Sequence, residues 1–298
     1  MTEQKKKYNP IVIGLFALVI FVVLGTAFVM TINGKEARIQ RAKIEQQKKE
    51  EQAKKEAEKK AKEAEKAAFE ARKKSDSLQP GVAVGTFDPN PEEKVVYLTF
   101  DDGPSPNTET ILDILKEHNA KATFFITGSE PDSRPFIKRA YEEGHTIGLH
   151  TYSHDYASVY SSEKAYFEDL KKVGEVAKEQ IGFVPCYIRF PGGSSNVISA
   201  KYSSGIMTKL VSAVQEKGYQ YYDWNVDSGD GAGHKKDQII SSSETDQFSH
   251  AMILMHDSRY KTDTVAALPS IIEYYKNLGY EFKGISRDSF VSQHSTNN

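Results

Sequence analysis

The residues best suited to chemistry are two adjacent carboxylates, Asp101 and Asp102, and two histidines four apart, His150 and His154. Asp101-Asp102-Gly103-Pro104 ends the run Val95-Val96-Tyr97-Leu98-Thr99-Phe100, which reads as a strand buried on both faces. Neighbouring side chains on an extended backbone point to opposite sides, so one carboxylate can grip a cation while the other handles a proton. A polar turn punctuated by glycine and proline is the plainer reading of the same residues. His150-Thr151-Tyr152-Ser153-His154 places both imidazoles on one face if the segment makes a helical turn. With a carboxylate from the first strand they form an Asp–His–His set of the kind that holds a catalytic divalent cation with one position left open. Zinc, cobalt, manganese and nickel all suit it, because imidazole and carboxylate do not choose strongly among them.

Such groups need a scaffold that brings distant segments together. Strand-like runs at 94–100, 121–127, 145–149, 186–190, 219–226, 251–256 and 280–284 alternate with helix-like runs at 107–118, 132–143, 162–180, 205–217, 236–247 and 264–277. That alternation argues for a parallel sheet with helices outside. The fold class expected is α/β, a distorted (β/α)7 barrel. An open doubly wound sheet is the alternative, although no dinucleotide or phosphate-loop glycine fingerprint follows any strand. In a β/α barrel the site lies at the C-terminal ends of the strands. Ionisable residues follow five of them: Asp101 and Asp102, His150 and His154, Arg189, Asp227 and Asp230, and His256 and Asp257.

The rest of the chain has a different composition. Residues 1–10 read as a cytoplasmic tail, and Ile11 to Ile32 is uncharged and apolar. That length suits a transmembrane helix through a hydrocarbon core of about 30 Å, with a cleaved signal peptide as the competing reading. Residues 34–74 are rich in Lys, Glu, Gln and Ala and lack proline, predicting a long charged helical stalk. Ala53, Ala57, Ala61, Ala64, Ala68 and Ala71 form a thin coiled-coil seam that would support weak self-association at most. Residues 75–91, with Pro80, Pro89, Pro91, Gly81 and Gly85, read as a linker to a compact domain at 92–292. The net charge of −2, with basic and acidic residues interleaved, calls for no nucleic-acid partner. The single cysteine, Cys186, cannot form an internal disulfide and reads as a small buried hydrophobe.

Four motifs in order resemble the signatures of the NodB-type polysaccharide deacetylases, carbohydrate esterase family 4: Thr99 to Pro104, His150 to His154, Arg189-Phe190-Pro191-Gly192-Gly193, and Leu254-Met255-His256. The resemblance covers residues 94–285 and extends to the membrane-anchored peptidoglycan N-acetylglucosamine deacetylases. It implies a NodB-like domain in which Asp101 is the catalytic base and Asp102, His150 and His154 hold a divalent cation, zinc first. It further implies that Arg189 orients the base and His256 is the general acid. Asp227-Ser228-Gly229-Asp230-Gly231 departs from the family pattern, with glycine where an aromatic wall is common. Its carboxylate aligns best at Asp230, with Asp227 as the fallback, to tune His256. Gly192 also replaces a common aromatic residue, while its N–H can still serve an oxyanion. Leu254 is left as an apolar contact lining the acetyl pocket.

The activity so implied is metal-dependent hydrolysis of N-acetyl groups on an extracellular glycan, first peptidoglycan N-acetylglucosamine. Another surface polysaccharide, chitin oligomers and O-acetyl esters are alternative substrates, and a catalytically inactive glycan-binding scaffold is the alternative role. The location expected is the cell membrane, single-pass, with the catalytic domain outside.

Overall fold

The computed structural model describes residues 34–298. Helix α1 (Gly34–Asp76) is continuous, and a boundary between two compact units falls within it, between Glu70 and Ala71. In the first unit, Glu45–Lys49, Glu51–Lys55 and Glu56–Lys60 pair one turn apart at 2.8, 2.6 and 3.0 Å. The seam alanines from Ala53 to Ala68 are exposed, so the expected coiled coil and self-association gain no support.

The second unit is built on a parallel sheet. Its strands are β1 (Val95–Asp101), β2 (Ala122–Ile126), β3 (Thr146–Leu149), β4 (Tyr187–Ile188), β5 (Gln220–Tyr221), β6 (Val226–Asp227), β7 (His250–His256) and β8 (Glu281–Phe282). The order is β5-β4-β3-β2-β1-β7-β6, with β8 pairing with the start of β1. All seven residues of β1 are buried, as its unrelieved apolar run requires. The helices of this unit are α2 (Pro106–Glu117), α3 (Pro135–Glu142), the short α4 (Tyr156–Val159), α5 (Glu163–Ile181), α6 (Ile206–Glu216), α7 (Lys236–Ser243) and α8 (Thr262–Asn277). Ser105 caps α2 in a reciprocal box with Thr108, and Ser162 caps α5, which ends at Gly182 with φ 86°.

A curled parallel sheet under helices fits a (β/α)7 arrangement, but the expected fold class needs two corrections. The ladder does not close. The strand expected at 219–226 is divided into β5 and β6, which lie on opposite edges of the sheet although only Tyr222 to Asn225 separate them. Five residue steps span at most about 17 Å, so the edges must curl toward each other. Tyr222 N–H bonds Ile188 O on one edge and Asn225 N–H bonds Met252 O on the other, so one segment serves both. The second correction concerns the transmembrane helix. Among the described residues no helix is long and apolar enough to cross a membrane, and the span expected at 11–32 lies outside the described residues.

The stretch after Glu70 is part of the second unit. Asp76 is buried and accepts hydrogen bonds from the Tyr187 hydroxyl at 2.7 Å and the Tyr141 hydroxyl at 3.1 Å. Asp76 O accepts from Cys186 N–H, Leu78 N–H bonds Val184 O, and Val84 joins the core beside Tyr187 and Tyr222. Removing these residues takes the Asp76 acceptor from two buried hydroxyls and deletes Val84 from the core. A fragment of residues 92–298 is therefore expected to be less stable than 71–298 by at least about 3 kcal/mol. Urea unfolding of the two fragments measures this, and equal midpoints would show that residues 71–91 hold nothing in place.

Candidate active site

Parallel pairing of β1 with β7 runs in register from Val95↔His250 to Asp101↔His256, so a carboxylate and an imidazole stand opposite each other at the C-terminal edge. The same edge receives His150, whose N–H bonds Ile126 O, and Arg189, whose N–H bonds Leu149 O. Four segments remote in sequence thus converge because their strands share one register.

Asp102, His150 and His154 come together, each offering a ligand atom within 4.8 Å of the others. His154 Nε2 lies 3.4 Å and His150 Nε2 3.7 Å from Asp102 Oδ1. No helical turn is involved. The two rings, 5.1 Å apart, meet because His154 adopts a left-handed backbone with φ 50° before α4 begins. Asp102 likewise leaves the extended conformation, with φ 73°, and so both neighbouring carboxylates reach the site instead of opposite faces. Left-handed non-glycine residues are uncommon and strained, and concentrate at functional sites.

Three observations test whether this triad fits a cation. Asp102 Oδ1 is buried and accepts no hydrogen bond among the described residues. His150 Nδ1 lies 2.7 Å from Arg189 O, which can only accept, so Nδ1 carries the proton and Nε2 presents its lone pair. Burial, reinforced by His154, pushes the pKa of His150 down to about 3, leaving the neutral ligand form. The donor set fits a divalent cation.

Arg189 is completely buried. It donates from Nη1 to Asp101 Oδ1 at 2.9 Å and Thr99 Oγ1 at 2.7 Å, from Nε to Tyr222 O at 2.9 Å, and from Nη2 to Asp223 O at 2.8 Å. Burial raises the Asp101 pKa above the usual carboxylate range, and Arg189 and His256 pull against it without cancelling it. The carboxyl is thereby a stronger base than an exposed one.

His256 Nδ1 donates to Asp230 Oδ1 at 2.7 Å, and His256 N–H to Asp230 Oδ2 at 2.8 Å. Burial disfavours the imidazolium, but the hydrogen bond and charge of Asp230 outweigh it and lift the pKa to about 9. Thr264 Oγ1 also donates to Asp230 Oδ2, at 2.8 Å, fixing the carboxylate. Asp227, by contrast, is exposed and accepts from Gly229 N–H, so Asp230 is the residue set against His256. A Cβ at Gly231 would stand 3.1 Å from His256 Cε1, placing that glycine against the acid ring. Leu254 is buried two residues before His256 on β7, opposite Thr99.

Gly192, with φ 74°, makes no hydrogen bond through its N–H among the described residues. Several neighbours escaped the sequence reading. Tyr156 Oη stands 2.5 Å from where a Gly192 Cβ would be, so an aromatic residue from α4 fills the space beside this glycine. Burial and the nearby Asp102 and Asp101 raise the Tyr156 pKa to about 12. Asp223 is fully buried and accepts from Ser194 N–H and His294 N–H, both at 2.8 Å. Trp224 meets the His294 ring edge-on at 4.9 Å. Only the place of Tyr156, two residues after His154, offered any signal. Asp257 lies fully buried behind the site, with Thr108 Oγ1 donating to Oδ2 at 2.6 Å, and burial raises its pKa to about 7.

The comparisons agree with this arrangement. A family profile described as polysaccharide deacetylase matches residues 88–211. A peptidoglycan-N-acetylglucosamine deacetylase of Bacillus cereus is 35% identical over 206 residues, covering 66% of this chain and 71% of the relative. The chain belongs to the polysaccharide deacetylase family. It is accordingly a hydrolase of the deacetylase class. Among solved structures, the catalytic domain of a peptidoglycan N-acetylglucosamine deacetylase from Eubacterium rectale is 41% identical with a TM-score of 0.68, over 70% of this chain and 96% of that one. A carbohydrate esterase family 4 (CE4) esterase from Streptococcus mutans is 31% identical with a TM-score of 0.55, over 64% of this chain and 86% of that one.

Proposed function

We propose that the chain hydrolyses N-acetyl groups of peptidoglycan N-acetylglucosamine outside the cell, with a divalent cation, zinc first, held by Asp102, His150 and His154. The observation that carries this reading is the placement of Asp101 and His256 directly across the β1–β7 ladder, beside the triad. The substrate follows the relatives named for peptidoglycan N-acetylglucosamine, and the extracellular location follows that substrate.

Bound at the triad, the cation would polarise the acetyl carbonyl and make water acidic enough to lose a proton near neutral pH. Asp101 takes that proton, held in orientation by Arg189 Nη1. Gly192 N–H donates to the carbonyl oxygen as it gains negative charge. His256, kept protonated by Asp230, gives a proton to the leaving amine nitrogen. Base and acid are thus held in opposite protonation states at one pH.

Acetate release from purified peptidoglycan by the full chain, with zinc, cobalt, manganese or nickel supplied, tests the proposal. Release from chitin oligomers or O-acetylated glycans alone would move the substrate, and no release from any of them would end the reading.

The acid has its own signature. Asp230→Asn removes the charge that lifts His256, so the alkaline limb of the pH–rate profile is expected to move down from about 9 toward the ordinary histidine value. Because the folded pKa is raised, the pair's stabilisation is complete below about pH 6.5 and fades as pH rises through about 9. The stability difference between wild type and variant is therefore expected to shrink above pH 9. Asp227→Asn is expected to leave the limb in place; a shift there instead would transfer the tuning role.

A further inference from the structure

The space beside Gly192 is taken by a hydroxyl. A Cβ on Gly192 would lie 2.5 Å from Tyr156 Oη and 3.5 Å from Tyr156 Cζ, so the phenol stands directly against the backbone that carries the proposed oxyanion donor. Its ring is held from two sides, edge-on to His154 at 5.7 Å and to Tyr160 at 5.4 Å. Tyr160 is itself fixed, buried and donating to Pro191 O at 2.8 Å. The backbone beneath is fixed too. Asp155 caps α4 by accepting from Ala157 N–H at 3.1 Å, and Asp169 Oδ1 accepts from Tyr152 N–H at 2.5 Å.

Held this firmly, the hydroxyl has no hydrogen-bond partner among the described residues, and the residue is only half-buried. Its neighbour on the other side is a triad histidine. We propose that Tyr156 is a further catalytic residue: its phenolic O–H donates to the acetyl carbonyl oxygen as charge develops there, beside the Gly192 N–H. The phenol makes and breaks no covalent bond and keeps its proton throughout. A donor that is oriented before the substrate arrives needs no reorganisation during the reaction, which is what makes such groups effective. The inference rests on the deacetylase reading of the site.

Tyr156→Phe preserves both ring contacts and removes only the hydroxyl. In the full chain, kcat for acetate release is expected to fall about 10²-fold, as loss of one oxyanion donor does, with KM within about twofold. Zinc affinity, titrated on the substrate-free protein, and the melting temperature are expected to stay at wild-type values, which a packing role or a role in the triad would not allow. A kcat within about twofold of wild type would overturn the proposal, as would a loss confined to zinc affinity. If wild type releases no acetate at all, the deacetylase reading fails by itself, and acetate binding then decides Tyr156. Zinc-loaded wild type is expected to bind acetate at least about fivefold more tightly than the phenylalanine variant, and equal affinities would overturn the assignment.

Discussion

Arg189→Ala is expected to lose about 3–5 kcal/mol of stability, the range for removing one partner of a buried ion pair, together with most of the activity. The guanidinium is fully buried and satisfies Asp101, Thr99 and the carbonyls of Tyr222 and Asp223, while stacking 4.4 Å from the Phe125 ring. Truncation leaves these acceptors in a dry site with no donor. Burial already raises the Asp101 pKa, so losing Arg189 raises it further and leaves the base protonated over more of the working range. A carboxyl whose folded pKa is raised loses stability as pH climbs above its unfolded value, here 3.8. The gap between wild type and variant is therefore expected to be smaller near pH 4 than at neutral pH. Lysine should not rescue it, because one ammonium cannot reproduce a planar fork aimed at several acceptors. Urea unfolding at both pH values measures the effect. A loss below about 1 kcal/mol that does not change with pH would mean that Asp101 does not depend on this arginine.

What was legible in the sequence was residue type and approximate place. The run before Asp101 announces a buried strand because six positions with almost no polar relief suit no other element of that length. What escaped was anything set by pairing or by backbone hand. The division of the segment at 219–226 could not be read, because the apolar pattern says that residues are buried and not which edge receives them. The choice between Asp230 and Asp227 was open for the same reason. Asp227 ends β6 and Asp230 follows three residues later, and the short turn at Asp230–Ala232 brings only Asp230 under His256. The meeting of His150 and His154 was anticipated for the wrong reason, since four residues can also be closed by a left-handed turn. Tyr156 showed only its place two residues after His154, because its role depends on the space left by a glycine in another segment.

Asp102→Asn is expected to invert the stability order of the two proteins according to whether zinc is present. Without a cation, Asp102 is costly twice over: its backbone is left-handed, and among the described residues its buried Oδ1 has no hydrogen-bond donor beside the buried carboxyl of Asp101. Asparagine tolerates the same backbone and has nearly the same shape, but brings no charge. In chelator the variant is therefore expected to melt above wild type, by about 2–4 °C for a gain of about 1 kcal/mol in a domain of this size. Adding zinc reverses the order. A ligand that binds only the folded state adds about 2.7 kcal/mol at a hundred times its Kd, and wild type gains this while the variant, lacking the anionic ligand, gains little. Acetate release is expected to follow the zinc and fall to the level of the metal-free protein. Thermal melts of both proteins in chelator and in excess zinc read the crossover. If the variant is less stable than wild type in chelator, the aspartate has a structural role of its own, and if zinc shifts both proteins equally, the cation is held elsewhere.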